Sequence, residues 1–152
     1  MDLTHTLRAS TFLPVPRPEA FAFFAEADNL GRITPPELDF RITQAPPDGI
    51  RQGARIGYRL GLFGVPFSWL TEITRWEPDR VFVDEQRRGP YALWHHTHTF
   101  TEEEGGTRID DEVRWRLPLA PFGEIAYPLV KWQLDRIFAY REQAVRRILL
   151  GE

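Results

Sequence analysis

A chain of 152 residues that is 42% hydrophobic, 13% aromatic and 27% charged has the size and make-up of one globular domain with a core of its own, spanning residues 1–152. Its net charge of −3, with acids and bases interspersed, offers no basic face for a phosphate backbone, so nucleic acid is not an expected partner. The lack of cysteine removes disulfides, thiolate metal sites and a cysteine nucleophile. With no run of about 18 apolar residues and no basic start before an apolar stretch, neither integral membrane association nor a secretion signal is expected, and the cytoplasm is the default location.

Leu3 to Leu13 alternates loosely between larger and polar residues and is closed by Pro14-Val15-Pro16, which predicts a first strand. Pro18 suits the first turn of a helix, where its missing N–H costs nothing. Glu19 suits that helix's positive end, and Phe21, Phe23 and Phe24 follow on it. A second short helical turn is expected over Asp28 to Ile33, before Pro35-Pro36 forces the chain to extend.

From Leu38 onward turn signals recur at strand spacing: Pro46-Pro47-Asp48-Gly49, Phe63-Gly64-Val65-Pro66, Glu77-Pro78-Asp79, Gly89-Pro90 and Gly105-Gly106. Five or six strands fit between them. Ile56-Tyr58-Leu60, Phe82-Asp84-Gln86, Trp94-His96-His98-Phe100 and Ile109-Asp111-Val113-Trp115-Leu117 are period-two stripes. Such short connections make an antiparallel meander. After Pro118 the period becomes helical, with Val130, Leu134, Ile137, Phe138, Ala144, Val145 and Ile148 in one apolar stripe; Pro128 marks its start or a kink. One long amphipathic helix on one antiparallel sheet is an α+β arrangement.

Several strings in this order resemble the START-like, or SRPBCC, superfamily, and in particular its bacterial cyclase/dehydrase-like ligand-binding branch. Some members of that branch are similar to domains fused to nucleotide-sugar epimerase-like proteins. The likeness is carried by Ala20-Phe21-Ala22-Phe23-Phe24 with Asn29-Leu30 and Ile33-Thr34-Pro35-Pro36, and by Phe82-Val83-Asp84-Glu85-Gln86 with Arg88-Gly89-Pro90-Tyr91. Trp94-His95-His96-Thr97-His98-Thr99-Phe100 and Ile137-Phe138-Ala139-Tyr140-Arg141 complete it. The resemblance implies a helix-grip fold: a curved antiparallel sheet of six to seven strands wrapped on a long C-terminal helix, two short helices after the first strand, and a cavity between sheet and helix. It does not fix the chemistry, because the scaffold serves lipid carriers, polyketide cyclases, plant ligand-binding proteins and chaperone activators alike.

His96 and His98 leave the same strand face as Trp94 and Phe100. A hairpin turning at Glu104-Gly105 sets His98 opposite Asp111, and one turning at Gly89-Pro90-Tyr91 sets Asp84 across from His96. Asp84, Gln86, His96, His98 and Asp111 thus make five polar side chains on the inner face, where each needs a partner. They read as a self-satisfied network fixing strand register, as the polar end of a ligand pocket, or as a zinc-binding set for which no fourth ligand is evident. No metal or cofactor is expected. Arg141 falls on or beside the helix stripe, as the partner of Asp84 or Asp111, an anchor for an anionic ligand group, or a snorkelling solvated side chain.

Tyr58, Trp69, Trp94 and Phe138 are the expected apolar contacts of a bound molecule, although Trp69, Tyr91, Trp94 and Trp115 read equally as plain core. The apolar hairpin tip Leu62-Phe63-Gly64-Val65-Pro66-Phe67 either rims the pocket mouth or touches a second subunit, so a homodimer is a further expectation. The reading is a binder of a small hydrophobic or amphipathic molecule such as a lipid, an aromatic or a polyketide-like compound. The alternative is a cyclase or dehydratase using His96 or His98 as general acid or base, and an interaction module is the third class.

Overall fold

The structure is a computed structural model and describes residues 2–152. Seven strands form one antiparallel sheet in the order β1-β7-β6-β5-β4-β3-β2. They are β1 (His5–Leu13), β2 (Arg41–Gln44), β3 (Arg55–Leu62), β4 (Val65–Glu77), β5 (Val81–Arg88), β6 (Leu93–Glu103) and β7 (Gly106–Arg116). Strands β2 to β7 run as a meander, and β1 closes the far edge against β7 from His5↔Trp115 to Leu13↔Thr107. The turn between β3 and β4 needs only Phe63 and Gly64, both at positive φ (53° and 80°). That is the two-residue hairpin conformation whose twist matches that of its strands.

Helix α1 (Arg17–Phe24) has Pro18 in its first turn and buries Ala20, Phe21, Phe23 and Phe24. Phe21 lies edge-on to Trp76, Phe82 and Phe100, so α1 plugs one end of the sheet. The second helical turn resolves into two 3-10 turns, Ala27–Asn29 and Gly31–Ile33. Asn29 Nδ2 donates to the Phe23 carbonyl at 2.9 Å and Thr34 Oγ1 to that of Leu30 at 2.6 Å. Past the prolines the chain does not extend as expected but makes a third 3-10 turn, Pro36–Leu38. Pro36 fits a first helical turn, and the turn lets Leu38 reach the core, where it is 3% exposed.

Helix α2 (Tyr127–Leu150) follows a 3-10 turn at Phe122–Ala126 and ends on Gly151 at φ 74°. Pro128 sits in its first turn, so it starts the helix and does not kink it. At 1.5 Å per residue its 24 residues span about 36 Å. The apolar core beneath it is in two parts. One gathers Leu13, Phe21, Phe24, Ile73, Phe100, Ala144 and Val145. The other gathers Leu38, Trp69, Tyr91, Val113, Trp115 and Leu134. Between Leu134 and Ala144 the helix carries Ile137, Phe138 and Arg141, which are only half-buried. A second apolar feature lies outside: Leu119, Phe122, Ile125, Leu129 and Trp132, between β7 and the first turns of α2, are 52–85% exposed.

Candidate functional site: a cavity with a histidine–aspartate wall

Where the two core clusters part, sheet and helix enclose a cavity of about 140 Å³. Leu38, Leu60 and Leu134 from one core cluster and Phe24 and Phe82 from the other are among its walls. Of the sequence-predicted residues, Tyr58, Trp69, Asp84, Trp94, His96, His98, Phe138 and Arg141 all line it. Tyr58 stacks on Trp69 (5.6 Å between ring centroids, 19° between planes), and Trp94 meets Trp69 edge-on at 5.2 Å. Trp115 does not take part; it is core, stacked on Tyr127 at 5.7 Å. Burial raises the hydroxyl pKa of both Tyr58 and Tyr91, with the Asp84 charge adding to the effect at Tyr58, so both remain protonated donors.

The register is the one the hairpins predict: Asp84↔His96 between β5 and β6, and His98↔Asp111 between β6 and β7. The shortest side-chain bonds nevertheless run along the diagonals. His96 Nε2 is 2.7 Å from Asp111 Oδ1, and His98 Nε2 is 2.6 Å from Asp84 Oδ2. The directly opposite pairs are longer, with His96 Nδ1 3.6 Å from Asp84 and His98 Nδ1 3.3 Å from Asp111, and His98 Nδ1 has no partner in hydrogen-bond geometry among the described residues. The imidazoles stack at 3.7 Å, and Phe82 covers the far face of His98 at 4.0 Å. That stacking turns each Nε2 away from the carboxylate straight across.

The surroundings set the charges apart. Burial works against both carboxylates, but the imidazoles and Arg141 outweigh it, holding Asp84 below the ordinary carboxylate value and Asp111 well below it. Burial also works against both imidazolium forms. At His98 the carboxylates of Asp111 and Asp84 outweigh it and raise the pKa. At His96 burial and the neighbouring His98 cation prevail and lower it. Two like groups 3.7 Å apart are thus driven in opposite directions.

Two sequence-based assignments are corrected. Gln86 is not a cavity residue: its Nε2 donates to the Tyr91 carbonyl at 2.8 Å, and its Oε1 accepts from the Tyr91 N–H at 3.0 Å. It closes the β5–β6 turn. Its place at the strand end, two residues beyond Asp84, lets the amide fold back over Gly89. Arg141 is not in an ion pair with Asp84 or Asp111: among the described residues no carboxylate oxygen lies within 4.0 Å of its guanidinium, and its buried Nε has no partner. Both carboxylates are already held by the histidines, and Phe24 and Phe138 flank the guanidinium at 5.5 and 5.6 Å. Asp111 stands behind the imidazoles, on a narrower pocket of about 30 Å³ that also touches Phe138 and Arg141.

Sequence reasoning missed Thr71, whose Oγ1 accepts from Trp69 Nε1 at 3.1 Å at the cavity wall. The alternation Trp69-Thr71-Ile73 along β4 carried that signal. It also missed His5, whose Nε2 lies 2.8 Å from Glu124 and whose ring packs at a tilt against both Trp115 (4.6 Å) and Tyr127 (4.3 Å), clipping β1 to the turn before α2. Asp84, His96 and His98 each offer a donor atom within 4.8 Å of the others. Hydrogen bonds already join each imidazole to a carboxylate, so a cation there would compete with both. Among the described residues no helix is long and apolar enough to cross a membrane.

A sheet gripping one long helix over a cavity defines the helix-grip class. The family model described as polyketide cyclase / dehydrase and lipid transport matches residues 13–138, and the chain belongs to that family. Among solved structures it is similar to the Zhui aromatase/cyclase of a Streptomyces species, at TM-score 0.76 and 14% identity over 95% of this chain and 96% of that one. A START superfamily protein from Mycobacterium smegmatis matches at TM-score 0.71 and 11% identity over 95% and 99%. A nucleoside-diphosphate sugar epimerase from Corynebacterium glutamicum matches at 0.66 and 24%, over 91% of this chain but only 28% of that one. At such identities the likeness is one of fold. No curated protein matches by sequence.

Proposed function

We propose that the protein binds a small hydrophobic or amphipathic molecule, of the lipid, aromatic or polyketide-like kind, between sheet and helix. The observation that carries this reading is the cavity itself, set where the core divides and walled by aromatic and aliphatic side chains. Close packing is the rule in protein interiors, and an apolar void beside a few oriented polar groups is the ordinary form of a ligand site. The family's link to lipid transport and cyclisation agrees with it. Native mass spectrometry of the purified protein tests the reading: a co-purifying apolar compound released on unfolding supports it, and failure to bind any apolar probe contradicts it.

A second reading is favoured by the opposed shifts of His96 and His98. In a cyclase or dehydratase, His98 would donate a proton to a carbonyl or leaving oxygen and His96 would accept one from carbon, with Asp84 and Asp111 orienting the rings. A turnover assay with a β-polyketone thioester separates the two. Activity that is lost in His98→Gln while probe binding stays unchanged makes the protein an enzyme.

A further inference from the structure

We propose that Arg141 anchors a carboxylate, and that the molecule held in the cavity is an apolar, ring-bearing monocarboxylate. This rests on the binding reading and names the ligand's head group. A guanidinium has five N–H donors and no means of shedding its charge. Inside proteins such a group is ordinarily paired, and leaving its donors without acceptors is costly. Here Nε is buried and unpartnered, and no carboxylate of the described residues comes within ion-pair distance. Of the acids that border the two pockets with it, Asp84 and Asp111 are bonded to the two histidines, and Glu142 also stays outside ion-pair distance.

The flanking rings narrow what Arg141 can take. With the Phe24 and Phe138 rings 5.5 and 5.6 Å from its Cζ, the guanidinium lies against aromatic surface, and its planar fork suits a planar two-oxygen acceptor. Arg141 borders both the main cavity and the narrow pocket that reaches Asp111. The ionised Asp84 and Asp111 beside it disfavour a dianion, so a monoanionic carboxylate suits the place better than a phosphate monoester. The same cavity is lined by the stacked Tyr58 and Trp69 and by Trp94, surfaces for a flat apolar body.

The test uses three probes of one shape, 2-naphthoate, 2-naphthylmethanol and 2-naphthyl phosphate, titrated at pH 7.5 and followed by tryptophan fluorescence. The wild-type protein is expected to bind the naphthoate at least about tenfold more tightly than the alcohol and more tightly than the phosphate. Arg141→Met is expected to remove the naphthoate's advantage and leave the alcohol's affinity within about twofold, and Arg141→Lys to keep part of it. Equal binding of naphthoate and alcohol by the wild type overturns the anchor while leaving the cavity reading in place. Preference for the phosphate overturns the carboxylate assignment, and binding of none of the three overturns the cavity reading as well. Because the wild-type comparison decides the matter alone, an unstable Arg141→Met does not rescue the proposal.

Discussion

His96 and His98 lie face to face, 3.7 Å between ring centroids, yet bond to opposite sides: His96 to Asp111 on β7 and His98 to Asp84 on β5. The crossing ties three consecutive strands together through side chains alone. It also places both imidazoles between two carboxylates, so that whichever ring carries the proton has an anion on each side.

A pH profile of stability follows. His98 has its folded pKa raised, so its contribution is complete below the unfolded value of about 6.5 and is lost as pH rises through the folded one. His96 has its folded pKa lowered, so the unfolded chain takes up a proton that the folded chain refuses, and stability falls as pH drops below about 6.5. Thermal unfolding should therefore peak near pH 6.5. The acid limb should steepen below about pH 4, where Asp84 and Asp111, both lowered when folded, take up protons. In His98→Gln the decline on the alkaline side of the maximum should flatten. Differential scanning calorimetry from pH 3 to 9 checks both.

Removing Asp111 should cost more than removing any surface acid. Asp111→Ala leaves the His96 Nε2, in a side chain 3% exposed, without its acceptor. The expected loss is about 2 to 4 kcal/mol in denaturant unfolding. Glu112, paired with Arg8 at 3.3 Å on the exposed face, should lose no more than about 0.5 kcal/mol on the same change.

Gln86→Ala should destabilise without touching binding. Its two bonds to Tyr91 fix the β5–β6 turn, so a loss of about 1 to 2 kcal/mol is expected in urea unfolding. The affinity of a neutral probe such as N-phenyl-1-naphthylamine should stay within about twofold. A large fall in affinity with unchanged stability would return Gln86 to the cavity wall.

Within the cavity, shape should matter more to a neutral probe than the histidines do. Replacing Trp94 by Ala removes apolar contact worth about 1.5 to 3 kcal/mol of probe binding. His98→Gln keeps hydrogen-bonding capacity and should weaken the same probe by less than about 0.5 kcal/mol. Parallel fluorescence titrations of the two variants read the order directly, and the reverse order favours the enzyme reading.

The sheet was legible because Ile56-Tyr58-Leu60 and Trp94-His96-His98-Phe100 alternate strictly and are bounded by glycine and proline turns, which together set the register. Two things were not. Proline marks where a regular element begins as readily as where one stops, so Pro35-Pro36 could not be read as a 3-10 turn until Leu38 was seen in the core. And register fixes which backbones face each other but not which side-chain atoms meet: ring stacking made the His–Asp bonds diagonal, the reach of a glutamine took Gln86 to Tyr91, and prior engagement of both aspartates left Arg141 alone.

Filling the cavity tests the account most directly. Ile137, half-buried, borders it from the helix, and Ile137→Trp would place an indole where the ligand is proposed to lie. Titration of N-phenyl-1-naphthylamine should show one site per wild-type chain and, in a folded Ile137→Trp, affinity lower by at least about tenfold. Unchanged one-to-one binding by the filled variant would contradict the claim that the space between sheet and helix is the ligand site.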